Sequence, residues 1–137
     1  MITGGCLCGA VRFEIEGKIS PTWLCHCSKC RKVTGSAFHA SAVCRKTRFR
    51  WLGGEDAISE YRDSPGYIVR FFRTCGSPVP SEVPDADSVF LHVGTLDGDP
   101  GTRLVHHIFV GSKAPWWEIH DDLPQHDEHT PRRNGGG

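Results

Sequence analysis

Hydrophobic and polar residues alternate along most of this chain, in short bursts separated by turn residues. From residue 10 to 16, Val11, Phe13 and Ile15 fall on one side and Arg12, Glu14 and Glu16 on the other. A period of two marks a strand with one buried face. Phe38 to Val43 predicts a second strand, with Phe38, Ala40 and Ala42 on one face. Phe49 to Leu52 runs into Gly53-Gly54 and reads as a strand and a turn, and Ala57 to Tyr61 alternates again. The turn signal Asp63-Ser64-Pro65-Gly66 then leads into Tyr67 to Phe72, a strongly β-prone run. Pro80 to Asp87 reads as a polar loop. Val89, Leu91 and Val93 alternate with Phe90 and His92, and Leu104 to Val110 predicts a further strand with His106 and His107 on opposite faces. A short helical turn is expected only over Arg31 to Gly35, stopped by the glycine. About seven or eight short strands and no helical period predict an all-β domain of mainly antiparallel sheets with little helix.

Composition narrows the class. At 137 residues the chain predicts a single domain. Its expected bounds are 1–126, followed by a polar tail over 127–137 that is expected to be disordered, most clearly from Arg132 to Gly137. Lys plus Arg and Asp plus Glu are 16 each, so the basic excess of a nucleic-acid footprint is missing. No apolar stretch approaches the ~18 residues of a membrane span, and the N-terminal residues show no basic and apolar leader. Seven cysteines, an odd and clustered set, fit a reducing compartment better than a disulfide scaffold, so a cytoplasmic location is expected.

The clusters then become the candidate chemistry. Cys25-His26-Cys27-Ser28-Lys29-Cys30 places three thiols in six residues. A C-x-x-C step in a tight turn brings two sulfurs to one ion, and the extra cysteine adds a third. Zinc takes four ligands, so three thiolates leave one corner for water or substrate, unless a distant side chain closes the site. Gly4-Gly5-Cys6-Leu7-Cys8-Gly9 is a second, glycine-flanked pair, and the glycines suit a backbone curling around a metal. Two sulfurs cannot close a site, so Cys6 and Cys8 need partners from far along the chain. Cys75-Gly76 resembles a metal knuckle short of one ligand, because Phe72 stands three residues earlier. Cys44, without a close cysteine neighbour, reads as a buried free thiol.

Lys29, Arg31 and Lys32 surround the first cluster. They fit either attraction of an acidic substrate or a solvated face. His26 sits between two candidate ligands and is expected to point away from them. His107 is expected to be a hydrogen-bonded structural residue. Of Trp116 and Trp117, one is expected in the core and the other beside a pocket.

Several spaced motifs carry a family likeness. Gly4 to Arg12, Cys25 to Arg31, Thr34 to Phe38, Cys75 to Pro78, Val93 to Asp97 and His107 to Trp117 resemble, in order, the glutathione-dependent formaldehyde-activating enzymes. The resemblance spans residues 4 to about 126. It implies a zinc-bound β-sheet fold of the β-tent type with two metal sites. Cys25, Cys27 and Cys30 match the catalytic type. Cys6, Cys8 and Cys75 match three of four ligands of the structural type, with Phe72 where the family carries the fourth cysteine. That second site either keeps an ion on three sulfurs or is replaced by Phe72 as core.

The family reaction joins glutathione and formaldehyde as S-hydroxymethylglutathione, or cleaves the adduct. The resemblance therefore implies a zinc-dependent carbon–sulfur lyase with a small thiol and a small aldehyde as partners. An open zinc corner serves it by holding the thiol as thiolate or by polarising the carbonyl. Two rivals remain: a non-catalytic zinc-bound binding module, and a zinc or thiol stress-response protein.

Overall fold

Phe13 and Ile15 are buried, as their alternation with Arg12 and Glu14 predicts. The structure, a computed structural model, describes residues 1–130. It contains β1 (Ile2–Gly5), β2 (Arg12–Ile15), β3 (Thr22–Cys25), helix α1 (Ser28–Thr34), β4 (His39–Arg45), β5 (Phe49–Gly53), β6 (Ile58–Ser64), β7 (Tyr67–Phe72), β8 (Ser81–Glu82), β9 (Ser88–His92) and β10 (Leu104–Ile108). The strands form three sheets, in the orders β1-β2-β5, β10-β3-β4-β9-β8 and β6-β7. All pairings are antiparallel except β3 with β10, which is parallel and sets Ile108 opposite Cys25. The fold is all-β with a single α-helix among the described residues.

The first core lies between the two larger sheets. Phe13 and Ile15 of β2 meet Ala42 and Cys44 of β4 and Val89 and Leu91 of β9, with Phe49 and Trp51 of β5 at the side. Cys44 is a buried free thiol, and burial pushes it up to about 11. A second cluster of Cys6, Val11, Phe72 and Val79 ties the β6-β7 hairpin to the rest. Each of these side chains exchanges water for apolar neighbours, worth roughly 25 cal/mol per Å² of apolar surface.

Four local departures from the sequence pattern have identifiable causes. β1 was not expected, because Gly4 and Gly5 read as turn residues. They are extended instead: a Cβ on Gly4 would stand 2.5 Å from the Phe13 ring and 2.7 Å from the Thr95 carbonyl, so the glycine serves close approach. β3 shows no alternation because both its faces are covered, with Thr22, Leu24 and Cys25 all buried. β4 was expected to bury Phe38, Ala40 and Ala42. It sits centrally and is covered on both faces, Ala42 and Cys44 toward the first core and His39 and Ser41 toward the other side. β8 lies inside the expected polar loop, paired to β9 through Ser81 and Glu82.

The helix begins three residues before the expected Arg31. Cys27 caps it, its sulfur accepting from the Cys30 N–H at 3.3 Å, the role usually taken by Ser, Thr, Asp or Asn. Gly35 ends it in the left-handed conformation, its N–H donating to the Arg31 carbonyl at 2.8 Å. Beyond β10, residues 124–128 run alongside it: His107 N–H donates to the Pro124 carbonyl and Phe109 N–H to that of Glu128, both at 2.9 Å. The polar tail expected over 127–137 is described as far as Thr130; Arg132 to Gly137 lie outside the described residues.

Candidate functional site

Cys25 ends β3, the second strand of the five-stranded sheet, between His39 of β4 and Ile108 of the edge strand β10. The chain leaves the sheet there through a turn pinned by the His26 N–H on the Ile108 carbonyl, 3.0 Å. It then enters α1 at Cys27. Strand end, cap and first helical turn thus each deliver one thiol. The sulfurs of Cys25, Cys27 and Cys30 all lie within 4.8 Å of one another. Ligands at ~2.3 Å around a tetrahedral zinc stand roughly 3.8 Å apart, so this spacing suits one ion.

Electrostatics agree with that fit. Without a cation the cluster divides unequally. The Cys25 thiol and, to a smaller degree, the Tyr67 hydroxyl hold Cys30 down to about 6. Cys25 is pushed well up by its bond to Cys30 and by burial. A divalent ion among these three sulfurs would convert the thiols to thiolates. The all-sulfur donor set suits zinc.

The second group forms beyond the far end of β7, whose first residue, Tyr67, touches Cys30. Cys6 leaves β1 in a tight turn: Cys6 N–H donates to the Val11 carbonyl, Gly9 N–H to the Cys6 carbonyl, and Val11 N–H to Cys6 Sγ at 3.2 Å. Gly9 takes φ 83°, which a side chain would disfavour. Cys75 follows β7, and Gly76 with φ 76° turns its N–H back to the Phe72 carbonyl at 2.7 Å. Cys6, Cys8 and Cys75 sulfurs again lie within 4.8 Å of one another. Ser77 links the two turns, its hydroxyl 2.9 Å from the Leu7 N–H and 3.4 Å from Cys75 Sγ. The Ser77 bond and the backbone of Cys8 hold Cys75 down to about 6. Phe72 is buried in the cluster that contains Cys6, so it occupies core space beside three sulfurs that still converge. Both groups therefore fit a metal ion, the second with three protein sulfurs.

All six cysteines singled out by spacing and resemblance are brought together, three and three. The basic residues behave differently. Lys29 is ion-paired to Asp63 at 2.6 Å and donates to the Ser64 hydroxyl at 2.8 Å, which fastens α1 to the β6-β7 hairpin. Lys32 is exposed, and the Arg31 Nε is buried with no partner among the described residues. His26 points away from the sulfurs into the interior. Its Nε2 lies 2.8 Å from His107 Nδ1, and both Asp121 carboxylate oxygens lie 3.0 Å from His107 Nε2. The carboxylate accepts, so His107 Nε2 carries the proton and His107 Nδ1 accepts from His26 Nε2–H. Burial first, then the charges of His107 and Lys113, hold His26 down to about 4. Trp117 stacks on His26 with centroids 5.7 Å apart, while Trp116 is exposed.

Residues absent from the sequence reading complete the site. Tyr67, first in β7, donates its hydroxyl to Cys30 Sγ at 3.4 Å, and Lys29 sits 5.1 Å over its ring. Burial and the Cys30 contact push the phenol well above its ordinary value, so it remains an O–H donor. His39 and His92 form a buried pair at 2.5 Å with His39 also bonded to Ser41. The only sequence trace of that pair was polar residues alternating inside β-prone runs. An open cleft of about 870 Å³ lies over Cys25, Cys27 and Cys30, walled by Trp23, Tyr67, Phe90 and Phe109. No helix among the described residues is long and apolar enough to cross a membrane.

Comparison with known proteins places these features. The sequence model of the family described as glutathione-dependent formaldehyde-activating enzyme matches residues 1–112. A crystal structure of a Rhodobacter sphaeroides protein superposes with a TM-score of 0.58 at 23% identity, over 75% of this chain and 99% of that one. The second likeness is one of fold.

Proposed function

We propose, since the chain belongs to the glutathione-dependent formaldehyde-activating enzyme family, that it is a zinc-dependent carbon–sulfur lyase acting in the cytoplasm on adducts of glutathione with an aldehyde. The observation that carries this reading is the convergence of Cys25, Cys27 and Cys30 at an open cleft rather than in a closed interior. Among the described residues the cluster has no fourth protein ligand, which favours turnover over a purely structural or binding role.

The reaction adds R–SH across R′–CHO. A bond forms between sulfur and the carbonyl carbon, the C=O π pair moves to oxygen, and the thiol proton ends on that oxygen; cleavage reverses each change. Cys25, Cys27 and Cys30 would hold the zinc, whose chemistry is to keep the incoming sulfur as thiolate and to polarise the carbonyl oxygen. Cys6, Cys8 and Cys75 would hold a second, structural ion. Tyr67 is the chain's own proton-bearing group at the cluster and is placed to donate to the adduct oxygen. The cleft has room for a tripeptide thiol with its sulfur at the cysteines. Lys29 shapes the rim through Asp63.

Glutathione and formaldehyde combine without a catalyst, so the test measures exchange against that background. Two-dimensional exchange NMR with ¹³C-formaldehyde and glutathione is expected to show faster interconversion of adduct and free aldehyde with zinc-loaded protein. Cys27→Ser is expected to return the rate to background. Equal rates with and without native protein, for formaldehyde and for longer aldehydes, would remove the proposal.

A further inference from the structure

A second cavity adjoins the cleft and is larger than formaldehyde needs. It measures about 210 Å³ and lies between α1, the β6-β7 hairpin and the β8-β9 edge. It shares Cys30, Gly66, Tyr67 and Phe90 with the cleft over the cysteines, so it opens onto the same reacting position. Its walls are mainly apolar: Val33, Ile68, Val69, Val83, Pro84 and Phe90. The two histidines at its inner side are already partnered. His39 pairs with His92 and Ser41, and its ring stacks on Phe90 with centroids 5.4 Å apart.

Size and chemistry select the occupant. A dry cavity of ~150 Å³ takes a benzene ring, so this one holds a ring or a chain of several carbons. Formaldehyde has no substituent to place there. Water gains few hydrogen bonds from these largely hydrocarbon walls, so an apolar group displaces it favourably. Glu82 also lines the cavity, but it pairs with Lys46 at 3.3 Å and its side chain is largely exposed, so it leaves the interior uncharged. Burial keeps both histidines neutral as well.

We infer that this cavity is a subsite for the apolar substituent of the carbonyl partner, making the substrate class glutathione hemithioacetals of alkyl or aryl aldehydes larger than formaldehyde. The inference rests on the proposed carbon–sulfur chemistry and names its substrate. With sulfur at the cysteine cluster, the carbon bonded to it lies beside Cys30, and a substituent on that carbon passes Tyr67 into the cavity.

Stable thioether analogues test this by binding alone. Glutathione, S-methylglutathione, S-ethylglutathione and S-butylglutathione are titrated calorimetrically into the full-length protein purified without chelator. Kd is expected to fall about fourfold per added methylene, the change that burying one CH₂ carries, or about sixtyfold from methyl to butyl. Val33→Phe, which puts a ring into the cavity from α1, is expected to flatten the series. The same variant is expected to lower the butanal-to-formaldehyde ratio of kcat/KM at least tenfold. Methyl and butyl derivatives binding equally to native protein would overturn the subsite and leave the glutathione reading intact. Failure of glutathione and every derivative to bind would overturn both.

Discussion

His26 Nε2 and His107 Nδ1 stand 2.8 Å apart with both rings fully buried, and Asp121 holds the far side of His107. One ring comes from between two cysteines of the cluster, the other from β10. The pair therefore ties the cysteine turn to the last strand. His107→Ala leaves the His26 N–H unpaired in the interior and opens a void. Urea unfolding is expected to show a loss of about 2–4 kcal/mol. Asp121→Asn keeps an acceptor oxygen and is expected to cost ~1 kcal/mol or less. Equal losses in both variants would show that the carboxylate, not the imidazole pair, organises the turn.

Tyr67→Phe removes the O–H at Cys30 and little else, since the ring stays under Lys29. Turnover is expected to fall roughly a hundredfold, the usual cost of losing one donor to a developing oxyanion, with zinc content unchanged. A loss confined to KM would assign Tyr67 to substrate binding instead.

Two zinc ions per chain are expected in protein purified without chelator. Cys27→Ser and Cys75→Ser are each expected to lose one. Phe72→Cys sharpens the same point. It offers a fourth sulfur near Cys6, Cys8 and Cys75 while deleting a phenyl ring from the core. The metal-loaded variant should resist chelator longer than the native protein, because a closed four-sulfur site holds zinc more tightly. Its metal-free form should lose about 3 kcal/mol or more. Faster zinc loss from Phe72→Cys would mean that position 72 cannot reach the ion.

Acid should destabilise the protein through His39 and His92. Burial holds His39 down to about 4; burial, then the charge of His39, holds His92 down to about 3. Unfolded, both return to the ordinary value near 6.5. Below pH ~6.5 the unfolded chain binds protons that the native rings refuse, so unfolding free energy falls by about 1.4 kcal/mol per pH unit for each ring. The contribution is complete above pH ~6.5 and is lost progressively toward pH 4 and below. Urea midpoints from pH 7.5 to 4.5 check this, with zinc measured at each pH to separate metal loss. His92→Phe is expected to flatten the slope; an unchanged slope would place the acid sensitivity elsewhere.

Some of this architecture was legible in the chain. β7 was read to the residue, because β-branched and aromatic residues, interrupted only by Arg70, fill Tyr67–Phe72 between a turn and the Cys75 knuckle. The two thiol groups were legible because C-x-C and C-x-x-C spacings act locally, and the family pattern supplied the distant Cys75. What was missed depends on contacts that spacing does not encode. β1 ends in two glycines, and the reason for Gly4 is the ring of Phe13 across the sheet. β3 lacks alternation because neighbours cover both its faces. The start of α1 was hidden because a cysteine does the work of a serine cap. Tyr67 reaches Cys30 only when the hairpin folds back over the helix, 37 residues further along the chain.

The parallel pairing of β3 with β10 has a consequence for the order of events on the ribosome. Cys25 emerges long before Ile108, the residue set beside it. At typical elongation rates of about 5–20 residues per second, the cysteine turn waits roughly ten seconds for the strand that carries His107. Until then β3 lacks the neighbour that covers one of its two edges. Cation capture by the nascent chain would hold the three sulfurs together and shield them from oxidation before β10 arrives to complete the sheet.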